Sequence, residues 1–228
     1  MVTLEPNPAL KSNMQLIGLL GGTFNPIHFG HLRMAQELAD ALNFSEVRFI
    51  PSANPPHKNQ LSVSAQHRAA MVQLAIADNP LFKLDTRELN RDGASYTIDT
   101  LISLREELGE NVSLCLMMGS DAFAKLDTWH HWEQLPKYCH IILVQRPNKL
   151  TQTKLSEALT ALLHDNYNEK ISDLSVKSAG YIHMQAITGQ DISATNIREK
   201  LAFGKSVKYL APDNVLAYIQ QHKLYQSL

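Results

Sequence analysis

Cysteine is scarce in this chain: its 228 residues include only Cys115 and Cys139, whose separation is not a metal-ligand spacing. Both thiols stand in or beside apolar runs, VSLCLMMG and CHIILV. That placement marks them as buried and excludes a disulfide framework or a cysteine-based zinc site. A dominant charge sign is also missing. Lys and Arg number 21 against 22 Asp and Glu, for a net charge of -1. No bulk field therefore draws the chain to nucleic acid or to an anionic membrane, and neither is an expected partner. No apolar run reaches the roughly 20 residues that a membrane-spanning helix needs. The opening MVTLEPNPALKSN has no signal-peptide core, so the cytoplasm is the expected compartment. Any phosphate binding must come from a local cluster of donors.

What the sequence does contain is alternation. The length suits a single domain, 1–228, with a large core. Short apolar runs predict strands at Met14–Leu20, Val47–Ile50 (ended by Pro51), Leu81–Leu89, Val112–Met118, His140–Val144 and Tyr181–Met184. Between them, helical periodicity predicts helices over His31–Leu42, Ser64–Ala77 with Ser64 as cap, and from a Ser95 cap to Gly109. Two more follow, Ser193–Phe203 ended by Gly204, and one from Pro212 through Gln221. The order β-α-β-α predicts a doubly wound, mostly parallel sheet covered on both faces. Residues 147–180 read as a surface insertion, with a helix expected over Lys154–Leu163.

The first chemical motif is GGTFNPIHFGH, residues 21–31, between the first strand and the first helix. A parallel strand delivers its C-terminal end to the ligand crevice of such a sheet. Gly21 and Gly22 let backbone N–H groups approach a phosphate. The helix opening near Gly30 offers free N–H groups and the positive end of its dipole. His28 and His31, three apart, can face one anion. The string is neither G-x-G-x-x-G nor a Walker A loop. A glycine-rich turn with two exposed histidines is the competing reading. A metal site is disfavoured, because no further ligand stands nearby.

The second motif, Ile192-Ser193-Ala194-Thr195-Asn196-Ile197-Arg198, opens a late helix. Ser193 and Thr195 can cap it, and Arg198, one turn in, can fork onto phosphate oxygens. Alone it is also an ordinary cap with a surface arginine. The Pro51–Lys58 loop, PSANPPHK, is stiffened by proline and offers donors at Asn54, His57 and Lys58. Tyr96 and Thr97 open a helix whose N–H groups would favour a carboxylate. Gly119-Ser120-Asp121 ends a strand at the crevice edge, where an ionised Asp121 suits ribose hydroxyls.

GGTFNPIHFGH resembles the signature of the nucleotidylyltransferase superfamily, in the form found in its nicotinate-nucleotide adenylyltransferase branch. ISATNIR, GSDAFAKLDTWHHWEQL and SVKYLAPDNVLAYIQQHKLY resemble further elements of that family. The resemblance implies a Rossmann-like fold that joins the AMP part of ATP, carried with Mg²⁺, to nicotinate mononucleotide. It implies phosphate and transition-state roles for His28, His31 and Arg198. Gly21, Gly22, Thr23, Phe24, Gly30, Gly119, Asp121, Ile192, Ser193 and Thr195 would surround ATP. Asn54, His57, Lys58, Tyr96, Thr97 and Trp129 would receive the acceptor. Trp129 and Trp132, three apart and read as sharing a helix, divide the work: Trp129 faces the pyridinium ring and Trp132 packs. The chain departs from the family at Asn25, where aspartate is usual. Asparagine keeps the turn-forming shape and lacks the charge. Two rivals stand beside this reading, a sister enzyme acting on another phosphate ester and a non-catalytic nucleotide-binding regulator.

Overall fold

The structure, a computed structural model, describes residues 13–55, 61, 63–145, 154–188 and 190–226. Six strands run in the order β3-β2-β1-β4-β5-β6, each pair of neighbours parallel. They are β1 (Gln15–Gly22), β2 (Glu46–Pro51), β3 (Phe82–Leu84), β4 (Val112–Gly119), β5 (His140–Gln145) and β6 (Ile182–Ala186). Among the described residues the helices are α1 (Phe29–Leu42), α2 (Ala65–Ile76), α3 (Thr97–Leu108), α4 (Ser120–Phe123), α5 (Leu135–Tyr138), α6 (Glu157–Asn166), α7 (Ala194–Ala202) and α8 (Asp213–Gln221). None of the described helices is long and apolar enough to cross a membrane.

Strand periodicity sorts the core into two layers. Leu16 and Leu20 of β1 join Cys115, Met117, Ile142 and Val144 on one face, beneath α1, α2 and α8. Ile17 and Leu19 join Leu114, Leu116, Ile141 and Leu143 on the other, beneath α3, α5 and α6. Side chains alternate between faces, so a central strand buried on both is apolar at nearly every position. That is why β1, β4 and β5 are legible as largely apolar runs, with Ser113 and His140 as buried polar exceptions. Gly18 has a separate reason to be glycine. A Cβ there would lie 2.8 Å from the Phe44 ring, inside contact distance.

Two expectations change. The predicted strand Leu81–Leu89 is cut to three residues. The Asp85 carboxylate accepts from the Arg87 N–H at 3.0 Å, and Thr86 O accepts from Leu89 and Asn90, so the chain turns. Ser95 does not cap α3, because Tyr96 holds the N-cap position. The Ser95 hydroxyl oxygen instead accepts the N–H groups of Ala53 and Asn54, at 3.0 and 3.1 Å. The described part of 147–180 carries α6 as the crossover from β5 to β6, and both Leu159 and Leu174 are fully buried. Residues 147–153 lie outside the described residues.

Two buried polar side chains staple this end of the sheet, and neither stands out in the sequence. The Arg105 guanidinium donates to the carbonyls of Tyr138, Gly109, Val112 and Ser178 at 2.7–2.9 Å. His140 accepts from Tyr181 N at 2.9 Å through Nδ1, and its Nε2 lies 3.0 Å from Lys177 O. Nδ1 is thus the acceptor and Nε2–H the donor of a neutral ring. Burial pushes its pKa down to about 4. The unfolded chain, with an ordinary imidazole near 6.5, takes up the proton first. Stability from this site is therefore complete above about pH 6.5 and is lost as pH falls toward 4, by about 3 kcal/mol. Urea midpoints across that window should fall with acid in the wild type and much less steeply in His140→Gln. Equal slopes would remove His140 from the acid response.

Candidate active site

The strand order reverses between β1 and β4: β2 and β3 lie on one side of β1, and β4, β5 and β6 on the other. At such a switch point the connections leave in opposite directions and open a crevice at the strand ends. A cavity of about 480 Å³ lies there. Gly21, Gly22 and Thr23 after β1 and Met118 and Gly119 of β4 line it, together with His31, Tyr96, Thr97 and Trp129. Eight of the residues expected from the sequence thus meet at one place, from four separate chain segments.

The two histidines occupy different depths. His28 is the extended N-cap residue of α1 and is only 5% exposed, while His31 is half-buried on the cavity wall. Their rings stack with centroids 3.8 Å apart, and the Phe24 ring meets His31 edge-on at 5.2 Å. Phe24 is itself buried, with φ +47, so it is a support under His31 rather than a wall of the cavity. Gly30 is required by close approach. A Cβ there would lie 3.0 Å from the His28 ring and 3.4 Å from Ile192 O. Of the N–H groups at the start of α1, that of Phe29 is already given to Leu210 O at 3.0 Å.

Arg198 joins the two motifs. Its Nη1 donates to Asn25 O at 2.8 Å and its Nη2 to Thr195 Oγ1 at 3.3 Å. The Ser193 side chain caps α7 by accepting from Asn196 N at 3.2 Å. The ISATNIR segment therefore lies against the β1–α1 loop, beside the cavity rather than in its lining. Asn25 is buried, precedes a cis proline, and its Oδ1 accepts from the Tyr225 hydroxyl at 2.6 Å.

Other expected positions fall elsewhere. Asp121 is exposed in the first turn of α4 and is absent from the cavity lining. Asn54 gives its amide to Gly93 O at 3.0 Å and faces a neighbouring cavity of about 760 Å³. His57 and Lys58 lie outside the described residues. Trp129 and Trp132 do not share a helix. Trp129 ends a 3-10 turn in extended backbone, His131 is left-handed, and a second turn opens at Trp132. Trp129 reaches the cavity; Trp132 packs on the second core layer.

Two residues with organising roles are invisible to motif reading. Arg68 of α2 is 1% exposed and donates to Thr23 O at 2.7 Å and Ala53 O at 3.2 Å, binding both crevice loops. Glu88 lines the cavity while almost wholly buried. Its Oε1 accepts from Thr100 at 2.8 Å. Burial raises its pKa, against the pull of the Thr100 and Ser95 hydroxyls. The one available signal was a charged residue inside an otherwise amphipathic stretch, which usually means a solvated face.

A switch-point crevice with glycines at the strand end and paired histidines on the following helix defines a nucleotide-binding α/β transferase. The sequence profile of the cytidylyltransferase-like family matches residues 19–200. Proteins named probable nicotinate-nucleotide adenylyltransferase are similar along nearly their whole length. That of Halorhodospira halophila is 47% identical over 206 residues, covering 90% of this chain and 93% of its own. That of Pseudomonas fluorescens is 47% identical over 213 residues, covering 92% and 97%. The chain belongs to the nicotinate-nucleotide adenylyltransferase family. In fold it is similar to the Plasmodium falciparum nicotinic acid mononucleotide adenylyltransferase complexed with NaAD, with TM-score 0.69 and 18% identity over 92% of this chain and 97% of that one.

Proposed function

We propose that the crevice transfers the adenylyl group of ATP to nicotinate mononucleotide, giving deamido-NAD and pyrophosphate for NAD biosynthesis. The observation that carries this reading is the pairing, in one cavity, of His31 and the β1–α1 loop with the α3 N-terminus and Trp129. The first group suits a polyphosphate and the second a carboxylated aromatic ring.

The chemistry asks for little beyond positioning. A phosphate monoester has a second pKa of about 6, so the acceptor is largely ionised at neutral pH and needs no general base. Its oxygen attacks the ATP α-phosphorus in line. The new P–O bond forms as the bond to the β-phosphate bridging oxygen breaks, and the electron pair leaves with pyrophosphate. The obstacle is repulsion between two anions. Donors held in place before the reaction lower that barrier without reorganising during it. His28, His31 and Arg198 supply them, with Thr23 and the glycines shaping the loop. Magnesium enters as part of the MgATP substrate. No covalent enzyme intermediate is needed.

The test is pyrophosphate release from MgATP with a panel of acceptors. Release with nicotinate mononucleotide, and at least 100-fold less with phosphopantetheine or glycerol phosphate, is the expected result; ~100-fold corresponds to about 2.7 kcal/mol of transition-state discrimination. Preferred use of another phosphate ester would assign the crevice to a sister reaction. No turnover with any acceptor would leave a nucleotide-binding regulator.

A further inference from the structure

We infer that Tyr225 is a positioning residue for the triphosphate site, setting Arg198 through a single bridging residue, Asn25. This inference rests on the proposed phosphate-binding role of Arg198. Three segments far apart in sequence meet at this point. The Tyr225 hydroxyl donates to Asn25 Oδ1 at 2.6 Å, and the Asn25 carbonyl accepts from Arg198 Nη1 at 2.8 Å. Asn25 is thus gripped at its side chain by one partner while its main chain orients the other.

The arrangement is built rather than incidental. After α8 the backbone turns back through two left-handed residues, Lys223 with φ +51 and Tyr225 with φ +63. Non-glycine residues hold that conformation only where surrounding contacts over-determine it. Leu224, 9% exposed, supplies such contacts by packing into the core layer that also holds Phe24 and Ile27. The phenol sits within electrostatic reach of both Arg198 and Arg68, and its burial raises its pKa, so it remains a donor. Asn25, only 6% exposed, depends on fixed partners in place of water.

The consequence is energetic coupling. An arginine grips a phosphate by a planar fork whose orientation decides how many bonds form. Losing the tyrosine hydroxyl frees the Asn25 side chain and lets the carbonyl that steers Nη1 drift. The defect should fall on ATP and not on the acceptor, whose contacts lie across the cavity at Tyr96, Thr97 and Trp129.

A double-mutant cycle tests this with Tyr225→Phe, Arg198→Ala and the pair, read in two ways. The first is pyrophosphate release with ATP and nicotinate mononucleotide. The second is equilibrium binding of a nonhydrolysable ATP analogue, which needs no acceptor and so survives a wrong acceptor assignment. Tyr225→Phe should weaken analogue binding and kcat/KM for ATP by about tenfold, with the acceptor KM changed less than about twofold. In the Arg198→Ala background the same change should add almost nothing. Thermal melting of Tyr225→Phe checks that the fold is retained, and far-UV circular dichroism serves where melting is irreversible. Effects that multiply in full in the Arg198→Ala background would overturn the inference and make Tyr225 a plain anchor. So would a Tyr225→Phe protein that binds the analogue as the wild type does.

Discussion

Replacing His31 with alanine should lower kcat by ~10²–10³, while the KM for nicotinate mononucleotide stays within a few-fold of wild type. His31 lies on the cavity wall, half-buried and held from two sides, by the stacked His28 ring at 3.8 Å and the edge of Phe24 at 5.2 Å. A donor held this way loses little freedom as charge builds on the leaving pyrophosphate, so its contribution is concentrated in the transition state. His28→Ala should do less damage to turnover, because its buried ring is absent from the cavity lining. Part of its effect should come through the lost stack under His31. Steady-state kinetics of the two variants, with melting temperatures as a control, make the comparison. Turnover of His31→Ala near wild type would take that residue out of the mechanism.

The second large effect concerns the acceptor. Nicotinate mononucleotide should be used at least tenfold, and up to ~100-fold, more efficiently than nicotinamide mononucleotide. The two differ only in carboxylate against carboxamide. Tyr96 and Thr97 bring the N-terminal end of α3 to the cavity, and a helix N-terminus presents N–H donors and positive potential. A carboxylate accepts on both oxygens. The amide's NH₂ would face donors with a donor, and an unmade buried hydrogen bond costs ~1–3 kcal/mol, before the loss of charge assistance. Stacking on the half-buried Trp129 is common to both substrates. Trp129→Ala should therefore raise KM for each and leave the ratio of their kcat/KM values nearly unchanged. Competition between the two mononucleotides, in wild type and variant, reads both quantities. Equal use by the wild type would leave a broader pyridine-nucleotide adenylyltransferase and remove the role given to α3.

Much of this crevice was legible because its parts are local. The β1–α1 loop carries glycines, histidines and the helix start within eleven consecutive residues. Apolar runs found the central strands for a simple reason: β1, β4 and β5 are covered on both faces, so nearly every residue must be apolar. Ser64 and Ser193 were readable as caps because an N-cap is satisfied within its own first turn. The misreadings share the opposite property. Ser95 looks like a cap, yet its oxygen goes to the N–H groups of a loop more than forty residues away. Leu81–Leu89 is the exception, because its turn is local: Asp85 captures the Arg87 N–H two residues on and ends the strand. The polar composition of 147–180 concealed Leu159 and Leu174, two residues whose burial depends on what lies across the sheet.

By itself, then, the sequence determined the alternating strands and helices, the doubly wound class, the β1–α1 and ISATNIR motifs and the family to which the chain belongs. All of these rest on periodicities and strings a few residues long. Tertiary structure alone decided which groups share the cavity and which support it. It set Phe24 beneath His31 and placed Asp121 away from the cavity wall. It also assigned organising roles to Arg68, Glu88 and Arg105, none of which belongs to a motif, and to Tyr225, the last residue of the SVKYLAPDNVLAYIQQHKLY segment. The physical reason is desolvation. A buried charge or hydroxyl is tolerated only where the fold brings it distant partners, and no local pattern records which carbonyl or carboxamide will be waiting there.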